Sequence, residues 1–328
     1  MKEAILYKKN PDGTVNCLLC NRFCKIQEGK TGFCGVRKNI SGTLYSINYG
    51  KAIALALDPI EKKPFYHFLP GSKTFSFATV GCNFRCQFCQ NWDISQQRDT
   101  IAGQDMPPEK IVELAEAENA EGIAYTYTEP TIFMEYALDT AKLARKKKMF
   151  NVFVTNGYMS AQAIKEMEPV IDASRIDLKG FNPKFYSELV GDARLEAVLE
   201  NINALRKIMH IEIINLVIPG KNDSEDELRA LSSWVARLDK NIPVHFTGFY
   251  PSYKMMDVPP TPLETLRKAR EIGMEEGLRY VYTGNRADAE GESTYCYNCK
   301  SLLVRRSGFG VLENHLDEKA KCPECGKK

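Results

Sequence analysis

The chain has 328 residues, 44% of them hydrophobic, and 44 basic against 42 acidic side chains leave a formal charge of +2. That length suits one α/β barrel with small appendages, and the apolar fraction excludes global disorder. The near-balance of charge argues against nucleic acid as a partner; no targeting segment is visible and the longest apolar stretch (AIALAL, 52–57) is too short to cross a bilayer, so a cytoplasmic protein without a membrane partner is expected.

The first 70 or so residues read as short Gly- and Cys-rich elements with little helical periodicity. KTFSFATV (73–80) is a β-rich run between the turn signals PGS and GCN. A regular alternation follows: helix 106–120 with a Pro-Pro start, strand 122–128, helix 131–148 with a basic end, strand 149–156, helix 159–168 and strand 173–179. Residues 183–209 read as mostly helical, 211–218 as strand, and 224–238 as a helix with Ser224 at its N-cap and a carboxylate three residues on. Strand 243–250, helix 261–277 and strand 278–284 close the series. Six or seven such units predict right-handed βαβ crossovers and a full or partial TIM-like barrel, with a doubly wound open sheet as the alternative. The expected division is 1–72, 73–284 and a polar, Cys-bearing tail at 285–328.

Eleven cysteines, an odd number, do not fit a secreted disulfide scaffold. They fall into groups of four, three and four: Cys17, Cys20, Cys24 and Cys34; Cys82, Cys86 and Cys89; Cys296, Cys299, Cys322 and Cys325. Thiolates favour zinc or iron–sulfur clusters. The middle group, in GCNFRCQFCQNW just after a strand, stops at three, which leaves one corner of a 4Fe–4S cluster without a protein ligand. The blander readings are three structural cysteines, or a zinc site completed by a remote residue such as His67.

The spacing Cys82-x3-Cys86-x2-Cys89 resembles the signature of the radical S-adenosylmethionine (SAM) superfamily. The resemblance implies a partial (β/α)6-type TIM-like radical SAM barrel, with an N-terminal Cys-rich module and a C-terminal zinc-ribbon-like tail. It implies a 4Fe–4S cluster, reductive cleavage of SAM, and a 5′-deoxyadenosyl radical that abstracts hydrogen from a substrate. Phe88 sits where the superfamily keeps an aromatic beside the adenine. Polar strand ends follow in superfamily order. Thr128-Glu129 resembles the motif that holds the SAM amine, although Tyr127 and Thr128 replace two glycines. Thr155-Asn156 would meet the ribose, Lys179 the carboxylate with Asp177 orienting it, and Pro219-Gly220 would flank the adenine. Each also has an ordinary explanation, Asp177 and Lys179 as a solvated ion pair for example.

Cys296-x2-Cys299 with Cys322-x2-Cys325 reads as a zinc ribbon, ahead of a rubredoxin-like iron and then a 4Fe–4S cluster. Cys17-x2-Cys20-x3-Cys24-x9-Cys34 is not a paired-knuckle pattern; it suits zinc, slightly favoured, or a second, fully ligated 4Fe–4S cluster acting as an electron relay. The segments 17–39, 58–72 and 81–96 together resemble the radical SAM member of the AmmeMemoRadiSam system, often labelled pyruvate formate-lyase activating enzyme-like. That implies Ammecr-like and Memo-like partners and an electron donor such as ferredoxin or flavodoxin. A glycyl-radical-enzyme activase acting on a separate protein is one alternative, and a non-enzymatic metal-rich binding module another. His67, His210, His245 and His315 are expected to be structural or surface residues; Tyr125, Tyr127 and Tyr250 could line the pocket, though core packing is commoner.

Overall fold

The computed structural model describes residues 1–97 and 100–327; Arg98, Asp99 and Lys328, the last residue of the expected tail, lie outside the described residues. Seven strands run parallel and in chain order across one sheet: β1 (Lys73–Ala78), β2 (Gly122–Tyr125), β3 (Phe150–Thr155), β4 (Ala173–Asp177), β5 (His210–Val217), β6 (Val244–Gly248) and β7 (Val281–Gly284). The longer helices between them are α1 (Pro108–Ala117), α2 (Met134–Lys146), α3 (Ala161–Met167), α4 (Pro183–Leu189), α5 (Leu195–Leu205), α6 (Glu225–Leu238) and α7 (Leu263–Glu275). A doubly wound sheet reverses its strand order at a switch point. Here every step goes the same way, six β–α units ending on β7, which is a partial barrel.

The strands form because they are buried on both faces: β2 and β6 have no exposed residue, the mark of a helix-covered parallel sheet. The helices bury one stripe, as Leu228, Leu231 and Val235 do on α6, each side chain contributing about 2 kcal/mol. Ser224 caps α6 by accepting from the Glu227 amide at 3.4 Å. The Glu227 carboxylate does not close a capping box; it accepts from the Phe181 amide at 2.8 Å and ties α6 to the loop after β4. The helical run read over 183–209 is two helices, parted at Gly191, where φ is +92° and a Cβ would lie 2.6 Å from the Arg85 Cβ. The cysteine loop thus needs a glycine at that break.

Before β1, short antiparallel strands make two small sheets, one of Lys2–Glu3, Arg37–Ile40 and Thr43–Ser46, the other of Tyr7–Lys9, Val15–Cys17 and Lys25–Ile26. Lys51–Pro59 is a strand of the main sheet, antiparallel to β1, so the boundary expected at 72–73 falls inside that sheet. The segment from 285 on is more than a tail. Arg306, on the strand Leu302–Ser307, is fully buried, donates to the Tyr66 carbonyl at 2.8 Å and stacks on the Tyr66 ring. Among the described residues no helix is long and apolar enough to cross a membrane.

Candidate active site

The C-terminal ends of the parallel strands open on a cavity of about 390 Å³. Cys82, Cys86 and Cys89 form part of its wall, on the loop after β1. That loop is strapped from several sides. The Arg85 and Gln87 amides donate to the Val190 and Leu189 carbonyls at 2.8 and 2.9 Å. Arg22 donates to the carbonyls of Asn83, Gly191 and Asp192, and Ser252 donates to the Cys89 carbonyl at 3.0 Å. The Phe84 amide donates to Cys82 Sγ at 3.3 Å, and Cys89 Sγ lies 3.2 Å from Ser95 Oγ. Burial, then the charge of Glu129, pushes the Cys82 thiol well above its usual range; burial pushes Cys86 up to about 12. A bound cation would relieve both, because metal binding displaces the thiol proton.

Glu129 follows β2 and is 2% exposed. Its Oε1 accepts from the Thr131 amide (3.0 Å), Thr131 Oγ1 (2.5 Å) and Thr155 Oγ1 (2.7 Å), and its Oε2 from the Asn156 amide (2.7 Å). Burial raises its affinity for a proton and these four bonds oppose it. The less occupied Oε2 leaves room for an ammonium donor. Thr128 lines the cavity and donates to the Thr79 carbonyl at 2.7 Å. Phe88 lines it and packs on Phe185.

Along β4 and its exit, Arg175, Asp177 and Lys179 alternate onto the cavity wall. Asp177 pairs with Arg175 and accepts from Lys179 Nζ at 2.7 Å. Burial alone would neutralise Asp177 and Lys179; their mutual attraction, with Arg175 for the acid and the Cys86 sulfur for the base, outweighs it and keeps both charged. They are a half-buried pair facing the cavity, not a fully solvated one.

Thr155 and Pro219-Gly220 depart from expectation. The Thr155 hydroxyl is spent on Glu129, and the residue is not at the cavity wall, so it orients Glu129; Asn156 does line the cavity. Pro219 and Gly220 also lie outside the wall, where β5 presents Ile214 and Leu216 instead. Gly220 is exposed in a turn that Asn222 closes, bonding the Ile218 amide and the Lys179 and Leu216 carbonyls. Its job is to tie the ends of β4 and β5 together.

A second polar cluster faces the same cavity, and of it only Tyr127 was singled out from the sequence. Asp58 accepts from Lys62 Nζ (2.8 Å), Lys63 Nζ (2.6 Å) and Tyr127 OH (2.6 Å). Lys63 also sits 4.2 Å from the Tyr127 ring centroid. Burial, only partly offset by Asp58, pushes the Lys63 ammonium down to about 8. The signal available in the sequence was the charge cluster DPIEKK after a strand-like run, which is too ordinary to stand out alone.

His67 and His245 pack away from the cysteines. His67 bonds Tyr282 OH at 2.6 Å, and His245 bonds Glu212 at 2.7 Å beside His210. His315 bonds the exposed Glu313. Tyr125 is in the core and donates to Asn151, Tyr127 lines the cavity, and Tyr250 lies outside its wall.

Among the described residues, one group of three or more Cys, His, Asp or Glu side chains has all its ligand atoms within 4.8 Å of one another: Cys296, Cys299, Cys322 and Cys325. The Cys296–Cys325 and Cys299–Cys322 sulfurs are 3.6 Å apart. A tetrahedral zinc with Zn–S of about 2.3 Å sets sulfurs about 3.8 Å apart, so this group fits one ion. Cys82, Cys86 and Cys89 spread wider than one ion can span, and no fourth cysteine shares their cavity wall.

A family model described as the radical SAM superfamily matches residues 77–231. An uncharacterized protein of Methanocaldococcus jannaschii is 48% identical over 332 residues, spanning 100% of this chain and 98% of that protein. The pyruvate formate-lyase 1-activating enzyme of Escherichia coli K12 is 24% identical over 232 residues, 65% of this chain and 93% of the enzyme. In fold, the chain is similar to Streptococcus suis SuiB solved with S-adenosylmethionine bound, with a TM-score of 0.50 and 14% identity over 62% of this chain and 48% of that one.

Proposed function

Because the chain belongs to the radical SAM superfamily, we propose that its three-thiol cavity cleaves S-adenosylmethionine reductively and that a second substrate binds on the Lys63 side of the same cavity. The superfamily's 4Fe–4S cluster and SAM are its cofactors. The observation that carries the reading is the convergence of Cys82, Cys86, Cys89, Glu129, Asp177 and Lys179 on one cavity wall.

The donor set fits the cluster: three soft sulfurs, too widely spread for one ion, on a loop held from several sides. When bound, cluster and SAM together supply a 5′-deoxyadenosyl radical that takes a hydrogen atom from the substrate. Cys82, Cys86 and Cys89 would hold the cluster. Glu129, oriented by Thr131, Thr155 and Asn156, would accept from the methionyl ammonium. Lys179 would meet the carboxylate, with Asp177 holding its ammonium in place. Phe88 would cover the adenine, and Thr128 and Asn156 would contribute polar groups around the nucleoside. Ile214 and Leu216 add apolar surface to this wall.

Lys63, Tyr127 and Asp58 would bind an acidic or carbonyl-bearing group of the second substrate, a protein or other macromolecule being the class we favour. A ferredoxin- or flavodoxin-class protein would deliver the electron, and Ammecr-like and Memo-like proteins are the expected partners in a cytoplasmic setting. The Cys296–Cys325 group would hold zinc. The similarity to the Escherichia coli activating enzyme supports a second reading, activation of a separate glycyl-radical enzyme.

The test is anaerobic reconstitution, reduction with dithionite and addition of SAM. Wild type should form 5′-deoxyadenosine, and the triple variant C82A/C86A/C89A should form none. Product from the triple variant, or none from wild type, sinks the proposal.

A further inference from the structure

The N-terminal cysteines form a second thiol pocket that the cavity chemistry does not use. Cys17, Cys20 and Cys34 are buried and Cys24 partly so; all four line one small pocket with Leu19, Ile26 and Ile132. The amides of Leu19, Arg22 and Val36, each two residues on from its cysteine, favour the thiolate forms of Cys17, Cys20 and Cys34. The Phe84 amide does the same for Cys82. Such N–H···S bonds stabilise metal-bound thiolates.

The spacing of the sulfurs separates one ion from a cluster. In this molecule a single-ion geometry exists for comparison: the C-terminal four, with pairs at 3.6 Å. Among the described residues, no three of the N-terminal four have their sulfurs all within 4.8 Å of one another. One zinc at about 2.3 Å from each sulfur would have to draw them together. They share the wider spread of Cys82, Cys86 and Cys89.

Asn83 adds an independent observation. It is fully buried and lines the four-thiol pocket, not the active-site cavity. Its Oδ1 accepts from Asn156 at 2.7 Å, while its Nδ2 has no partner. A buried donor left unmade costs about 1–3 kcal/mol. Inorganic sulfides of a cluster are acceptors that a lone zinc ion does not bring.

We propose that Cys17, Cys20, Cys24 and Cys34 hold a second, fully ligated 4Fe–4S cluster, with Asn83 donating to its sulfur, and that it relays electrons to the cluster on Cys82, Cys86 and Cys89. The two sites touch: a Cβ on Gly81 would lie 2.7 Å from the Cys34 carbonyl oxygen, and Gly81 precedes Cys82. Asn83 stands between the pockets, its backbone carbonyl held by Arg22 and its side chain by Asn156. The relay takes one electron from a ferredoxin- or flavodoxin-class donor and gives that one electron to the active-site cluster, returning to its oxidised state with no bond made or broken. The relay role, though not the site, rests on the function proposed above.

The triple variant C82A/C86A/C89A decides the site, since it leaves the N-terminal thiols intact. After anaerobic reconstitution wild type should carry about eight iron and eight sulfide per chain, and the triple variant about four of each, with a 4Fe–4S electron paramagnetic resonance signal on reduction. A triple variant with no iron and two zinc ions per chain overturns the second cluster and leaves the SAM reading standing; about two iron overturns the four-iron assignment. C20S/C24S should lose the second cluster, keep 5′-deoxyadenosine formation with dithionite, and lose it with the protein donor. Equal activity with both donors overturns the relay. In N83L, which removes the amide donor but keeps the thiols, the second cluster's potential should fall; an unmoved potential overturns the Asn83 contact.

Discussion

Lys63 shows how a single side chain can be tuned by burial against a partner. Its folded-state ammonium is pushed down to about 8. In the unfolded chain a lysine holds its proton to about 10.4. Between those values the unfolded state binds more protons, so this group's contribution to stability rises with pH. Urea unfolding of wild type should therefore gain on Lys63→Met as pH goes from about 8 to about 10; a pH-independent difference would show that Lys63 is not buried as described. Little of this was legible, because Tyr127 is remote in sequence from the 58–63 stretch and meets Asp58 only in the fold. That Cys82, Cys86, Cys89 and Glu129 meet at one cavity was legible, because each follows a strand at the end of the sheet where loops converge. Thr155 was legible as polar but not as an orienter of Glu129, since which hydroxyl faces the cavity depends on the pleat of β3.

Elements were readable where their period was uninterrupted. The seven parallel strands and the helices between them follow burial patterns that one face or both faces impose. Lys51–Pro59 was missed for a physical reason: its register shifts between Ile53 and Ala56, and Ala54 has φ of +55°, so the two-residue alternation slips. The division of 183–209 into α4 and α5 depends on Gly191 meeting Arg85, a contact across about a hundred residues of chain that no local pattern reports. The N-terminal module is held to α2 by a bidentate pair, Arg37 to Glu135 at 2.7 and 2.6 Å, both side chains buried. Removing one partner leaves an uncompensated charge. Glu135→Gln should cost about 3–5 kcal/mol in chemical denaturation and make the N-terminal module more sensitive to limited proteolysis. A loss within experimental error would mean the module is held chiefly by its apolar contacts.

Across the whole molecule, Glu212 joins three parts of the chain. It lies on β5 and accepts from His210 and from His245 on β6, and from the Tyr66 and His67 amides of the segment before β1. Arg306 then ties that segment to the C-terminal module. Burial would raise the Glu212 carboxyl, but the bonds from His210 and His245 hold it well below its usual value. Its contribution is complete above the unfolded carboxyl value near about 4.3 and is lost as pH falls through the lower folded value. Glu212→Gln should lose about 3 kcal/mol at neutral pH, and the gap from wild type should close in acid; a gap constant with pH would refute the ionised reading.

The sequence by itself determined the chemistry and the alternation: three cysteines that leave a corner open, four more at each end, and β–α units in series. Those features are local, because ligand spacing and burial period act over a few residues. The tertiary structure decided what distance along the chain hides. It separated single-ion from wider sulfur spacing, brought Lys63 and Tyr127 to the same cavity as the cysteines, and set the Cys34 carbonyl against Gly81. Sulfur spacing and electrostatic contact depend on how remote segments pack, and packing is a property of the folded chain alone.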